Sequence, residues 1–153
     1  MTKRLNWNET WMQIAEVMAH RSECSLAQVG AVIVNAKNRV IATGYNGPPA
    51  NAVIGELCEL SCPRSHSPTS KTYGYGFGCI SIHAEANALL FCDRSTIEGG
   101  TIYVTAVPCE DCTKLIANSG LAAVCFIDDH RPHRPAMNIV MYLENHRITC
   151  EVM

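Results

Sequence analysis

The sequence predicts an α/β domain of three layers, with helices on both faces of a five-stranded mixed sheet. Three observations carry that expectation. Segments with helical spacing alternate with short apolar runs rich in β-branched residues, in the order α-β-β-α-β-α-β-α-β. The first two runs are separated by a turn, as in an antiparallel hairpin, whereas the last three have a helix between each pair. With 153 residues, 48% of them hydrophobic and 17% charged, the chain can bury one core and is not disordered.

Each element has its own signal. Trp7, Trp11, Ile14, Ala15 and Met18 recur at helical spacing, and Asn6 or Asn8 is placed to cap that helix, expected over about 8–20. Val29 to Asn35 reads as a strand, Ala36 to Asn38 as a turn and Arg39 to Tyr45 as the returning strand. Asn46-Gly47-Pro48-Pro49 breaks the pattern. From residue 47 to about 82 the chain is rich in Gly, Pro, Ser and Cys, an insertion too long to stay structureless in a compact domain unless something ties it down. His83 to Asp93 is helical and Thr101 to Val107 a strand. Pro108 marks the start of a further helix and Gly120 its end. Ala122 to Asp128 is a buried-type strand, Asp129 to Pro135 a polar loop, Ala136 to Asn145 a helix and Arg147 to Val152 a last strand. Nothing divides residues 1–153 into more than one domain.

Composition narrows the function classes. A net charge of −2 argues against a nucleic-acid binder that works by bulk positive charge. The N-terminus carries no apolar signal-peptide core and no run of about 18 apolar residues exists, so a cytoplasmic protein without a membrane partner is expected. In a reducing compartment, nine cysteines are more often metal ligands, catalytic groups or small core residues than disulfides.

The chemistry is carried by His83-Ala84-Glu85 followed by Pro108-Cys109-Glu110-Asp111-Cys112, the H-x-E and P-C-x-x-C signature of zinc-dependent nucleobase deaminases. A catalytic zinc takes three protein ligands, imidazole or thiolate among them, and leaves one position for water. His83 opens one expected helix, and Cys109 and Cys112 open another, one turn apart. The positive end of that helix and the metal both favour thiolate. Zinc acidifies water toward neutrality. Glu85, two residues from the histidine, is then placed to take the water's proton and deliver it to the ring nitrogen and the departing amine. Alone, P-C-x-x-C is equally half a structural zinc site or a redox pair; the combination is the specific signal.

Further segments resemble the deoxycytidylate deaminase family: Arg21-Ser22-x-Cys24, Val29 to Val34, Thr43-Gly44-Tyr45-Asn46-Gly47-Pro48-Pro49, Ile82 to Leu89, and Tyr103-Val104-Thr105-x-x-Pro108-Cys109-x-x-Cys112. The resemblance runs from about residue 11 to 128. It implies the cytidine deaminase-like α/β/α fold, conversion of dCMP to dUMP with loss of ammonia, a homohexamer, and regulation by dCTP and dTTP, with Mg2+ accompanying a dCTP effector. It implies His83, Cys109 and Cys112 as zinc ligands and Glu85 as proton shuttle. Asn46 matches a sugar contact, against its reading as a turn residue. Arg21 is a candidate for the 5′-phosphate, against a solvated charge at a helix end. The Ala84 N–H is placed for the pyrimidine carbonyl. Gly44, Tyr45, Asn46 and Gly47 are candidates for effector binding. The resemblance also implies a structural zinc on Cys24, Cys58, Cys62 and Cys79, with His66 in reserve, which would tie down the long insertion. Four free thiols are the alternative. Cys92, Cys125 and Cys150 are expected in the core.

The residues from Asp128 to Pro135 depart from the family pattern. Rival readings are a deaminase of another cytosine nucleotide or nucleoside, a tRNA-editing deaminase, and a non-catalytic zinc module, which would have no use for Glu85.

Overall fold

The computed structural model describes residues 4–50, 79–130 and 135–153. It has the expected mixed sheet of five strands: β1 (Gly30–Val34), β2 (Val40–Tyr45), β3 (Thr101–Val104), β4 (Ala123–Phe126) and β5 (Thr149–Val152), in the order β2-β1-β3-β4-β5. β1 pairs antiparallel with β2 and β3, while β3–β4 and β4–β5 are parallel. Among the described residues the helices are α1 (Trp7–Ala19), α2 (Ala84–Leu90), α3 (Arg94–Ile97), α4 (Glu110–Ser119) and α5 (Ala136–Asn145). No helix among the described residues is long and apolar enough to cross a membrane.

Alternation along the strands sorts side chains to two faces. Ala31, Ile33, Ile102, Val104, Val124 and Phe126 meet Ala84 and Ala88 of α2, Ile116 of α4, and Ile139 and Leu143 of α5. The intervening Val32, Val34, Tyr103 and Cys125 meet Trp11, Met12 and Ala15 of α1. Polar ties fix α1 in place. Trp11 donates its indole N–H to Asn38 (2.6 Å), and the Tyr103 hydroxyl donates to Asn8 (2.8 Å), which in turn donates to Glu151. Asn6 is the cap: it accepts from the Glu9 N–H, and the Glu9 carboxylate accepts from the Asn6 N–H.

The larger boundary differences from the sequence expectation lie at α2, β3 and β5. α2 ends at Leu90 and the extended backbone of Asp93 leads into α3, which the periodicity did not reveal. β3 ends at Val104 because the Thr105 hydroxyl takes the Gly30 N–H (3.0 Å) and the Asp129 carboxylate takes the Val107 N–H (3.3 Å). β5 starts only at Thr149, since Arg147 turns the chain with φ +63°. Of the three cysteines expected in the core, Cys125 lies there and Cys92 and Cys150 are half-buried against it. Cys125 is buried and its thiol is pushed up to about 12, by burial and then by Glu151. Cys92 and Cys150 pack against the α2/α4/α5 side, with thiols raised chiefly by burial.

Two glycines let helix backbones touch the sheet. A Cβ on Gly30 would lie 1.9 Å from the Ala15 carbonyl oxygen of α1, and one on Gly44 would lie 2.2 Å from the Ala84 oxygen of α2. Neither obstacle is a flexible side chain, so a helix must move. Gly44→Ala and Gly30→Ala should each lower stability by about 1–3 kcal/mol in thermal or denaturant unfolding. Because only Gly44 faces α2, which follows His83 directly, Gly44→Ala should also weaken retention of a metal held by His83, whereas Gly30→Ala should not.

Candidate active site

The site is built from two helix starts. His83 is the N-cap of α2 and makes no side-chain cap bond. Cys109 is the N-cap of α4, where its sulfur accepts from the Cys112 N–H (3.4 Å). Cys109 is further fixed by Thr113, whose backbone N–H and hydroxyl both donate to the Cys109 carbonyl at 2.8 Å.

These two starts converge. The His83 Nδ1 lies 3.3 Å from the Cys109 sulfur and 3.5 Å from the Cys112 sulfur. Zinc bonds of about 2.05 Å to nitrogen and about 2.3 Å to sulfur give a tetrahedral N···S edge of about 3.6 Å. Both N···S distances are therefore close to what one zinc ion requires, and all three donor atoms lie within 4.8 Å of one another. They form the one His/Cys/Asp/Glu group among the described residues whose geometry suits a metal. His83 is exposed, Cys109 half-buried and Cys112 buried, so the site opens to one side.

Glu85 is 4% exposed, a buried carboxylate beside these donors. Burial raises its pKa above the ordinary carboxylate range; the charge of Cys109 adds to this, while the helix-start N–H, His83 and Cys112 oppose it. The thiols polarise each other. Cys109 is pulled down chiefly by the hydrogen bond from Cys112, against the cost of its own burial. Cys112 is pushed up by the same bond, by burial and by Glu85.

β2 and the chain after it are clamped onto the segment bearing His83. Gly47 and Ile82 exchange backbone hydrogen bonds of 3.1 and 2.8 Å, and the Asn87 amide of α2 donates to the Tyr45 carbonyl (2.8 Å). Asn46, 8% exposed, uses its amide within the protein: its oxygen accepts from the Val29 N–H (2.7 Å) and its nitrogen donates to the Ala27 carbonyl (2.9 Å). One amide hydrogen and one oxygen lone pair are not used in these bonds. Arg21 stands over the Tyr45 ring (5.9 Å to its centre), on the wall of a cavity of about 450 Å3 shared with Gly44, Tyr45, Gly47 and Asn87. His83, Glu85, Cys109 and Cys112 are not among the residues lining it. Of the expected structural-zinc ligands, Cys24 is half-buried and Cys79 exposed; Cys58, Cys62 and the reserve His66 lie outside the described residues.

Sequence reading did not single out Thr113, Asn87 or Asp129. Thr113 was open to detection, since a threonine four residues after a helix N-cap is placed to bond that residue's carbonyl. Asn87 and Asp129 act across elements, where no local pattern signals them.

The comparisons decide the family. The profile of the cytidine and deoxycytidylate deaminase zinc-binding region matches residues 5–128. The chain belongs to this family. Among relatives in the deaminase family, the deoxycytidylate deaminase of Mycobacterium phage D29 is 46% identical over 127 residues, covering 80% of this chain and 95% of its own. That of Pongo abelii is 34% identical over 125 residues, covering 82% of this chain but 66% of its own length. The dCMP deaminase of cyanophage S-TIM5 in its apo form superposes with a TM-score of 0.72 at 26% identity, covering 99% of this chain and 100% of its own. The same cyanophage enzyme in complex with dCMP and dUMP gives 0.71 at 25% identity, with the same coverage. The fold expected from the motifs is the fold these deaminases share.

Asn46→Ala should remove two backbone partners from a buried loop and cost about 1–3 kcal/mol of stability, measurable by urea unfolding. Thr113→Val, which keeps the shape but not the hydroxyl bond, should cost about 1 kcal/mol.

Proposed function

We propose that this protein hydrolyses dCMP to dUMP and ammonia in deoxynucleotide metabolism. The observation that carries the reading is the convergence of His83, Cys109 and Cys112 beside the buried Glu85. Relatives named deoxycytidylate deaminase, matched along most of this chain, support dCMP as the substrate.

His83 Nδ1 and the two sulfurs would hold zinc. When bound, zinc supplies Lewis acidity that brings the pKa of water close to neutrality. The protein's own groups do the rest. Glu85, with a pKa raised by burial, accepts a proton from the attacking water and passes protons to the ring nitrogen and the amine at C4. Water adds at C4 as its first proton goes to the ring nitrogen; the new C4 hydroxyl then gives up the second proton, which Glu85 passes to the amine, and the C4–N4 bond breaks as C4=O forms and ammonia leaves. The Ala84 N–H, in the first turn of α2 where it has no intrahelical acceptor, holds the base carbonyl. Asn46 uses its remaining hydrogen-bonding capacity toward the sugar.

Regulation is part of the proposal. The cavity between Arg21, Tyr45 and Asn87 suits a nucleotide effector such as dCTP, with Mg2+ on its phosphates, or dTTP. Its position favours Arg21 as a phosphate contact there rather than at the substrate. We further read residues 1–153 as one domain that assembles as a homohexamer in the cytoplasm, or in a host's cytoplasm if the source is a phage. Cys24, Cys58, Cys62 and Cys79 would bind a second, structural zinc that orders the 47–82 insertion.

An absorbance assay with dCMP, CMP, dCTP, deoxycytidine and tRNA should show turnover concentrated on dCMP. Glu85→Gln should lower kcat by about 10²–10⁴-fold while zinc content stays unchanged; full activity in that variant would refute the shuttle. Metal analysis should find two zinc ions per chain, falling to one when Cys58 and Cys62 become Ser. A dCMP rate curve indifferent to dCTP and dTTP would remove the regulatory reading.

A further inference from the structure

Among the described residues, the chain after β4 reaches the zinc-donor turn at Asp129. Asp129 accepts a hydrogen bond from the Val107 N–H (3.3 Å), joining the chain beyond β4 to the chain beyond β3. Val107 is the last residue before Cys109 with an N–H to offer, because Pro108 has none. It lies beyond the β3 ladder, which ends at Val104. Downstream, Thr113 holds the Cys109 carbonyl through two bonds. Cys109 is therefore gripped from the helix side by Thr113 and from the strand side by Asp129. The neighbouring backbone supports this geometry. Ile127 N–H donates to the Val104 carbonyl (3.1 Å) and Asp128 N–H to the Met153 carbonyl (3.4 Å), which anchors the chain leading to Asp129. Val107 and Pro108 are themselves fully buried, so the turn has little room to settle elsewhere.

We infer that Asp129 is a positioning residue for the zinc donors, acting through the Val107 N–H on the placement of Cys109. What it supplies is an acceptor oxygen at this spot. Removing that oxygen leaves the N–H of a tightly buried turn without this partner and lets the Cys109 sulfur drift from the spacing that suits one ion. Groups bonded directly to a metal ligand are worth about 10–100-fold in metal affinity or activity, and Asp129, acting through the Val107 backbone two residues from Cys109, is expected at the low end of that range, about 10-fold. Only the kinetic arm of the test rests on the deaminase reading given above.

The test compares Asp129→Ala, Asp129→Ser and Asp129→Asn in the zinc-loaded full chain. Asparagine keeps an oxygen where the carboxylate had one; alanine has none and serine is too short to reach. Alanine and serine should lose zinc to a chelator about 10-fold faster, lower kcat for dCMP about 10-fold with KM little changed, and expose the Val107 amide to faster hydrogen exchange. Asparagine should stay within about 3-fold of the parent protein on all three readouts. Serine serves if alanine does not fold. Unchanged zinc loss and unchanged Val107 exchange in alanine or serine would overturn the inference, and so would asparagine failing as badly as they do. If the unaltered protein does not turn over dCMP, the deaminase reading fails, and zinc loss and amide exchange still decide the role of Asp129.

Discussion

The approach of α2 to β2 at Gly44 is the contact on which the site depends. It places the start of α2 against the sheet at a distance that a single methyl group would prevent. The helix answers with small residues of its own: Ala84 and Ala88 are fully buried against the sheet. Asn87 and the Gly47–Ile82 exchange then fix how far along the strand the helix sits. Each of those hydrogen bonds contributes about 1 kcal/mol, whereas overpacking at the close contact costs about 1–3 kcal/mol. Steric fit therefore sets the separation, and the hydrogen bonds set the register.

The second half of the site is held by different means. α4 starts just beyond β3, beside the parallel β3–β4 pair, where α/β folds commonly place their ligands at the carboxyl ends of strands. Its first residues are fixed by a sulfur cap and a doubly bonded carbonyl rather than by a glycine contact. The α2 half brings the imidazole and the carboxyl, and the α4 half brings both sulfurs. Burial of Glu85 follows from this arrangement, since the carboxyl lies between two packed elements, and its raised pKa follows from that burial.

Much of this was legible in the residues. The strand alternation of Ala31, Val32, Ile33 and Val34, the hairpin turn and the H-x-E and P-C-x-x-C pair together determine the sheet and the donor set. Chemistry at short spacing is readable because local geometry enforces it: Cys109 and Cys112 share one turn of one helix. Gly44 was different. A glycine in a Gly-Tyr-Asn-Gly run reads as a ligand loop, and only the three-dimensional arrangement reveals that it seats a helix. Asn46 likewise carries a structural duty that its motif does not announce, because its partners at 27 and 29 are reached only after the hairpin folds back. The four residues of α3 are too few to show any periodicity.

The sulfur of Cys109 has two duties, as the cap of α4 and as a proposed zinc donor. Sharing one atom makes the two events thermodynamically reciprocal: whatever free energy the formed helix end adds to ion binding, the ion returns to the helix end. The same sharing makes the atom a single point of failure. Oxidation of that thiol would weaken the helix end and the proposed ion site together.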